Sequence, residues 1–200
     1  ANAGRVRTRG VEIDSAFRPT SRFNVYANAA FTDARYTRFT NAPCPPELSG
    51  GTALPVVNGQ IVGTPAAAGT PGNSLPYCDI SGQWLPGVSR WAFSYGAEYD
   101  LPATVAGTEG QFYLGYDGSY RSKFSSNPSR SAYTDINGYS LSNVRAGFKA
   151  PGSWNAFVWV RNLFDHNYYE LLATQSGSTG LIVGQPGDPR TYGFTISKSF

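Results

Sequence analysis

Side chains alternate with period two in stretch after stretch of this chain, and the stretches are set off by proline. Proline cannot donate to a sheet ladder, so it brackets strands rather than filling their middles. Of the 14 prolines, seven lie between Pro43 and Pro76. The others are Pro19, Pro86, Pro102, Pro128, Pro151, Pro186 and Pro189. In residues 11–17, Val11, Ile13 and Phe17 oppose Glu12, Asp14 and Arg18. In 23–31, Phe23, Val25, Ala27, Ala29 and Phe31 oppose Asn24, Tyr26, Asn28, Ala30 and Thr32. In 91–99, Trp91, Phe93, Tyr95, Ala97 and Tyr99 oppose Ala92, Ser94, Gly96 and Glu98. In 112–120, Phe112, Leu114, Tyr116, Gly118 and Tyr120 oppose Tyr113, Gly115, Asp117, Ser119 and Arg121. This is the pattern of half-buried strands, and no interval carries an apolar stripe at helical spacing.

Three further intervals complete a set of seven. Val144, Ala146 and Phe148 share a face, but Tyr139 and Leu141 are out of phase with them. A β-bulge near Ser142 or Asn143 would restore the phase. Residues 154–163 are apolar on both faces, so their orientation stays open. In 192–200, Tyr192, Phe194, Ile196 and Phe200 oppose Gly193, Thr195, Ser197 and Ser199.

The connections sort by length. A tight turn around Pro19, Thr20 and Ser21, about ten residues from Asp100 to Glu109, and Ala150 to Ser153 form the short set. The stretches 41–86, 122–137 and 165–189 form the long set. In an up-and-down sheet each set lies at one end. Short turns at one end, long loops at the other and alternating strands of about 9 to 11 residues are the pattern of an outer-membrane barrel.

Composition narrows the choice. Charged residues are 14%, against about 25% in an ordinary soluble domain. Aromatics are also 14%, too many for a disordered tail. The 16 basic and 13 acidic residues are dispersed, which argues against a nucleic-acid partner. No apolar run approaches the about 20 residues of a membrane-spanning helix. One face carries Glu12, Asp14, Arg18, Asn24, Asn28, Glu98, Asp117 and Arg121, too many charges for the core of a sandwich. A soluble sandwich with one wet face per sheet, using its aromatics as a sugar platform, remains an alternative. So does a small passive pore or adhesin-like barrel. Seven strands leave two open edges, which lipid does not tolerate, and single-chain bacterial barrels are even-numbered. Either an eighth strand lies in residues 1–10 or the chain is part of a larger barrel. The absence of Met and of a signal peptide favours the second expectation.

Four segments then carry a resemblance: Gly10-Val-Glu-Ile-Asp14 with Phe17-Arg-Pro-Thr20; Leu85-Pro-Gly87 before Trp91; Val160-Arg-Asn-Leu-Phe-Asp165 with Tyr168 and Tyr169; and Gly184-Gln-Pro-Gly-Asp-Pro-Arg190 running to Tyr192 and Phe200. In this order they resemble the C-terminal part of the β-barrel of TonB-dependent outer-membrane receptors. Lys198 departs from that pattern, where an apolar or aromatic residue is expected. The resemblance implies an all-β, antiparallel up-and-down transmembrane segment: seven or eight strands of a 22-stranded barrel, with residues 1–200 as barrel and the plug absent. It implies active import of ferric siderophores or similar scarce nutrients in the outer membrane of a Gram-negative bacterium. Partners would be membrane lipid, the plug and remaining strands of the same protein, TonB through that plug, the assembly machinery and a ferric siderophore. Long loops would be extracellular and short turns periplasmic.

Individual residues follow from that frame. Cys44 and Cys78 are the only cysteines and share the first long loop, where the exterior is oxidising. A disulfide closing it is expected to add roughly 4 kcal/mol. No His accompanies them there, and neither a metal site nor a cofactor is indicated. His166, the sole histidine, lacks a nucleophile motif, so no enzyme activity is expected; Asp165 is expected to fix the strand end. Tyr192, Phe194, Ile196 and Phe200 form the expected C-terminal assembly signal. Tyr113, Tyr120 and Arg121, with Tyr116, are candidates for a ligand path, the competing role being an interfacial girdle.

Overall fold

The computed structural model describes residues 4–45, 53–67, 72–73, 75–128, 131–150, 154–175 and 181–198. Along the chain run β1 (Arg5–Thr20), β2 (Phe23–Arg38), β3 (Val56–Val57), β4 (Gln60–Ile61), β5 (Trp91–Val105), β6 (Thr108–Arg121), β7 (Phe124–Ser125), β8 (Asp135–Ile136), β9 (Tyr139–Lys149), β10 (Trp154–Arg161), β11 (Tyr169–Thr174), β12 (Ile182–Pro186) and β13 (Thr191–Lys198). Among the described residues the helical content is one 3-10 turn, Ala132–Thr134, capped by the Ser131 side chain.

Seven strands form one antiparallel sheet in the order β1-β2-β5-β6-β9-β10-β13. The other six pair off as small hairpins inside the long loops, β3 with β4, β7 with β8 and β11 with β12. The sheet is all up-and-down and stays open. Val158 to Asn155 of β10 pair with Phe194 to Ser197, and β1 does not. Residues 5–10 belong to β1, so among the described residues there is no separate eighth strand near the start.

The register divides the sheet into an apolar and a polar face. Asn28 lies opposite Ser94, Gly96 opposite Asp117 and Gly115 opposite Arg145, all on the polar face. Val25, Ala27, Ala29, Phe93, Tyr95, Leu114 and Tyr116 share the other. The open orientation of β10 is resolved by its pairing. Phe157 and Trp159 oppose Gly147 and Arg145 on the polar face, which leaves Trp154, Ala156, Val158 and Val160 on the apolar one.

Two rows of aromatic rings cross the apolar face. At the turn end, Phe23 meets Tyr99 at 6.4 Å, Phe112 meets Phe148 at 5.2 Å and Phe148 meets Trp154 at 5.1 Å between ring centres. At the loop end, Phe31, Trp91, Phe93 and Tyr120 form a chain with centres 4.7, 5.9 and 5.8 Å apart. On β2, β5 and β6 the two rows are the same number of residues apart: Phe23 to Phe31, Tyr99 to Trp91, Phe112 to Tyr120. That interval is about 26 Å of strand, or roughly 20 Å of height at barrel tilt. Between the rows the face is exposed and apolar, with Val11, Ile13, Leu114, Val158 and Ile196 each more than half exposed.

The chain exposes 12620 Å². A globular monomer of 21.5 kDa exposes about 9200 Å². The excess fits a sheet that, among the described residues, carries no second sheet on its apolar side. The buried apolar cluster of Tyr36, Ala42 and Ile80, with Phe39 and Leu85 against it, lies under the first long loop rather than between two sheets. Among the described residues no second sheet packs on either face, as a soluble sandwich would require.

Four expectations are corrected. The Asp100–Glu109 connection is a two-residue turn, with Ala106 at φ 50° and Gly107 at φ 78°, the left-handed pair that a twisted hairpin requires. β5 and β6 are accordingly 15 and 14 residues long, and β1 and β2 each have 16, beyond the 9 to 11 expected. Pro102 sits inside β5 opposite Gln111, because the ladder from β2 stops at Phe23–Tyr99 and no acceptor faces the missing N–H. There is no bulge in β9. Its pairing with β6 is unbroken from Lys149 to Tyr139, which puts Tyr139 and Leu141 on the polar face. They are tolerated there because the third long loop covers that end: the Tyr139 and Tyr168 rings lie 4.5 Å apart.

Candidate functional site

The polar face carries an ion lattice across four strands. Glu98 and Asp100 stand on β5, Asp117 on β6, Arg145 and Lys149 on β9, and Asn155 on β10. The Arg145 guanidinium donates to Glu98 and to Asp117, each at 3.0 Å. Asn143 Nδ2 donates to the second Asp117 oxygen at 2.7 Å. Lys149 Nζ lies 3.5 Å from Glu98 and 3.1 Å from Asp100 Oδ1, the latter an ion-pair distance without hydrogen-bond alignment. Tyr113, buried between these charges and Phe157, donates to Asn155 at 3.3 Å.

These charges look isolated in the sequence, and the structure corrects that. Glu98 and Asp117 are paired because β9 runs in unbroken register and brings Arg145 and Lys149 to their face. The small residues there are covered too. Gly96 lies under the Tyr26 ring, Gly115 under Arg145 and Gly193 under Trp159. Replacing Arg145 with methionine is expected to destabilise the sheet by about 1–2 kcal/mol. That is below the figure for a buried pair, because the partner side chains stay 24% and 29% exposed. Urea unfolding of the full-length protein in detergent measures it, and lysine at 145 should recover part of the loss.

At the loop end the three long connections are tied down. The returning arm of the first loop pairs with the top of β2. Tyr36 N donates to Gln83 O at 3.0 Å, Ala42 and Cys78 exchange backbone bonds, and Leu85 N donates to Ala34 O at 2.9 Å. Cys44 and Cys78 are joined by a disulfide with Cα atoms 5.0 Å apart. Beside them the Ser81 hydroxyl and N–H hold the Asp79 carboxyl below its ordinary pKa. Cys44→Ser with Cys78→Ser is expected to raise protease cleavage within 39–90 on intact cells, because closing that loop contributes about 2–4 kcal/mol. The sheet itself should unfold at an unchanged urea concentration.

The second and third loops meet at Ser126. Its hydroxyl, with one proton to donate, lies within hydrogen-bond reach of both Leu172 O and Thr134 O and receives Leu172 N–H at 3.0 Å. Asn127 Nδ2 donates to Thr174 at 3.1 Å. Arg121 clamps the loop from the polar face, donating to Ser89 and to Gly87 O while its guanidinium lies 3.8 Å over the Phe124 ring. In the third loop, burial pushes the Tyr168 phenol above its ordinary pKa, and the nearby Glu170 carboxylate adds to the rise.

The expected ligand-path residues are not brought together. Tyr113 and Arg121 lie on the polar face at different heights, and both are engaged by neighbours. Tyr120 lies on the opposite face, stacked on Phe93, because its position on β6 alternates with theirs. It belongs to the upper aromatic row, whereas Tyr116 lies on the same face midway between the two rows, its hydroxyl 2.8 Å from that of Ser142. Tyr192, Phe194 and Ile196 project from the apolar face, exposed by 61% or more; Phe200 lies outside the described residues. His166 is exposed, and its backbone, not its ring, takes part in the strand-end clip. Among the described residues no three His, Cys, Asp or Glu side chains gather as a metal site.

Sequence reasoning missed Asn162. It is buried, adopts φ 48°, and its amide joins His166 to Asp188. Its signal was present, since Asn162 and Asp165 are residue types that enter the left-handed region. Asp165, at φ 53°, accepts the Arg190 N–H at 2.9 Å and so does fix the strand end.

A family model described as TonB dependent receptor-like, beta-barrel matches residues 1–163. The chain belongs to that family. No curated protein matches the chain. Among solved structures, the ferric yersiniabactin uptake receptor FyuA of Yersinia pestis superimposes with a TM-score of 0.67 at 16% identity, over 100% of this chain and 24% of that one. The siderophore receptor PiuA of Acinetobacter baumannii gives 0.59 at 14% identity, over 96% and 21%. Pseudomonas aeruginosa FpvA, bound to iron and a heterologous pyoverdine, gives 0.53 at 16% identity, over 96% and 19%. The chain thus spans about a quarter or less of these receptors. At such identities the likeness is one of fold, and the open seven-stranded sheet is a sector of a receptor barrel. Proteins of this family are outer-membrane barrels that act as receptors and transporters.

Proposed function

We propose that this chain is part of the wall of a TonB-dependent importer of ferric siderophores or comparably large, scarce nutrients. The observation that carries the reading is one open sheet with a girdled apolar face and a charged opposite face. The apolar face meets lipid, since a charge there would cost about 2–4 kcal/mol for the basic residues. The charged face borders a wide lumen, where Arg145, Glu98 and Asp117 meet water and a plug supplied by the same protein. The long loops are extracellular and the turns periplasmic. Energy reaches the plug through TonB, not through these strands. Tyr192, Phe194 and Ile196, with Phe200, serve the outer-membrane assembly machinery.

The test uses the full-length protein in an iron-starved Gram-negative host lacking its own siderophore receptors. Cells are offered radioiron on a panel of hydroxamate, catecholate and mixed siderophores. Uptake of at least one, abolished by deleting TonB, is the expected result. Passive, TonB-independent flux of small solutes would instead support the pore reading and overturn this one.

A further inference from the structure

We propose that Ser126 is a positioning residue for ligand capture, holding the second and third long loops together as one rim that is formed before ligand arrives. The inference rests on the reading that these loops are extracellular and belong to an importer. Ser126 follows β7 in the second loop and lies against β11 in the third. The N–H and C=O of Leu172 both face Ser126 rather than β12. An open strand edge carries backbone groups that need partners. Here a single hydroxyl stands where a neighbouring strand would otherwise be required.

The seat of that hydroxyl is itself fixed. Ser126 N–H donates to Thr134 O at 3.0 Å, and Thr134, Ser125 and Ser131 are all buried. Thr134 Oγ1 donates in turn to Ser131 O at 2.9 Å. A second tie runs beside the first, from Asn127 Nδ2 to Thr174 Oγ1 at 3.1 Å. The second loop also meets the first, where Gly87 N–H donates to Ser125 O at 2.7 Å. The foot of the third loop is held by the clip at Asn162 and Asp165. The joint between the loops is therefore polar, and hydrogen bonds are directional, so the joint sets an orientation as well as a distance. The other face of the β11–β12 hairpin stays open, with Leu171 and Val183 each 46% exposed. A ligand that meets a formed rim bears no cost of ordering it. Where the rim is formed only part of the time, the apparent dissociation constant rises in inverse proportion to that fraction. Later steps run through the plug and TonB and do not involve Ser126, so its effect on capture separates from any effect on transport.

The experiment uses the full-length receptor. Hydrogen exchange in detergent is read over 169–175, where the Leu172 amide reports the latch, with and without a mixture of ferric tris-hydroxamate and ferric tris-catecholate chelates. The wild type should be protected there before chelate is added, and chelate should add no protection. Ser126→Ala should exchange about tenfold faster over this stretch, and Ser126→Thr, which keeps the hydroxyl, should restore protection. Radioiron uptake from the same chelates is then followed in cells. Ser126→Ala should raise the half-saturating concentration about tenfold at an unchanged maximal rate, with threonine again restoring it. Thr174→Val, which removes only the second tie, should give a smaller rise, with gel mobility of the folded form unchanged in every variant. Fast exchange in the wild type that slows only on adding chelate would show a lid that closes, and would overturn the proposal. So would a fall in maximal rate at unchanged half-saturation. Absence of uptake by the wild type would overturn the importer reading and the capture role with it, while the exchange data would still decide whether the rim is formed in advance.

Discussion

Valine at position 147 is expected to prevent assembly of the receptor wall, leaving no folded, heat-modifiable band in outer-membrane fractions. A Cβ on Gly147 would meet the Ala156 carbonyl oxygen and the Phe157 Cβ, each at 2.4 Å. Both belong to the backbone or its first side-chain atom on β10, so neither can swing away. Relief requires β9 and β10 to part, which breaks the pairs from Asn155–Lys149 to Val160–Val144. β13 hangs on β10, so two strands leave the sheet together. In lipid an open edge costs several kcal/mol for each unpaired group, so the loss is not local. Gly118→Ala is the control. Its Cβ would meet the far end of the Tyr95 ring at 2.6 Å, a group that can rotate outward. That variant should assemble with a small fall in unfolding midpoint. If Gly147→Val assembled as well as Gly118→Ala, close strand approach at 147 would not be a condition of the fold.

The contrast between these two glycines marks how far the sequence could be read. The intervals between turn residues placed all seven sheet strands, and alternation gave the two faces of 23–31, 91–99 and 112–120, because a half-buried sheet imposes period two directly. It failed where an environment changes along one strand. Tyr139 and Leu141 break phase in β9 only because a loop roofs their end, a fact no local pattern carries. Arg145 and Lys149 went unseen as partners of Glu98 and Asp117 for another reason, since the register between β5, β6 and β9 is not written in the alternation of any one strand. Pro102 misled because the rule that proline ends strands assumes a neighbour on both sides. Loop hairpins such as β11–β12 depend on contacts 40 or more residues away, including Ser126 with Leu172. The family motif around 160–165 was legible as a string, but its mechanics lay in the left-handed backbone of Asn162 and Asp165.

Those mechanics carry the second large effect. Asn162→Ala is expected to release the third long loop from the sheet by about 3–4 kcal/mol. Asn162 Nδ2 donates to His166 O at 2.9 Å and Asp188 O at 3.1 Å, and its Oδ1 accepts the His166 N–H at 2.9 Å. Each bond contributes about 1 kcal/mol, and alanine adds a cost of about 1 kcal/mol at φ 48°. Glycine at 162 removes the second cost but not the first, so it should fall between wild type and alanine. Aspartate tolerates the backbone but turns a carboxylate toward two carbonyl oxygens, and should be at least as damaging as alanine. Hydrogen exchange at the His166 and Arg190 amides reads the clip directly, and cleavage within 162–190 on intact cells reads its consequence. The order wild type, glycine, alanine in protection would show bonds and backbone acting together. If glycine matched wild type, the backbone angle alone would account for Asn162, and the three side-chain bonds would contribute nothing measurable.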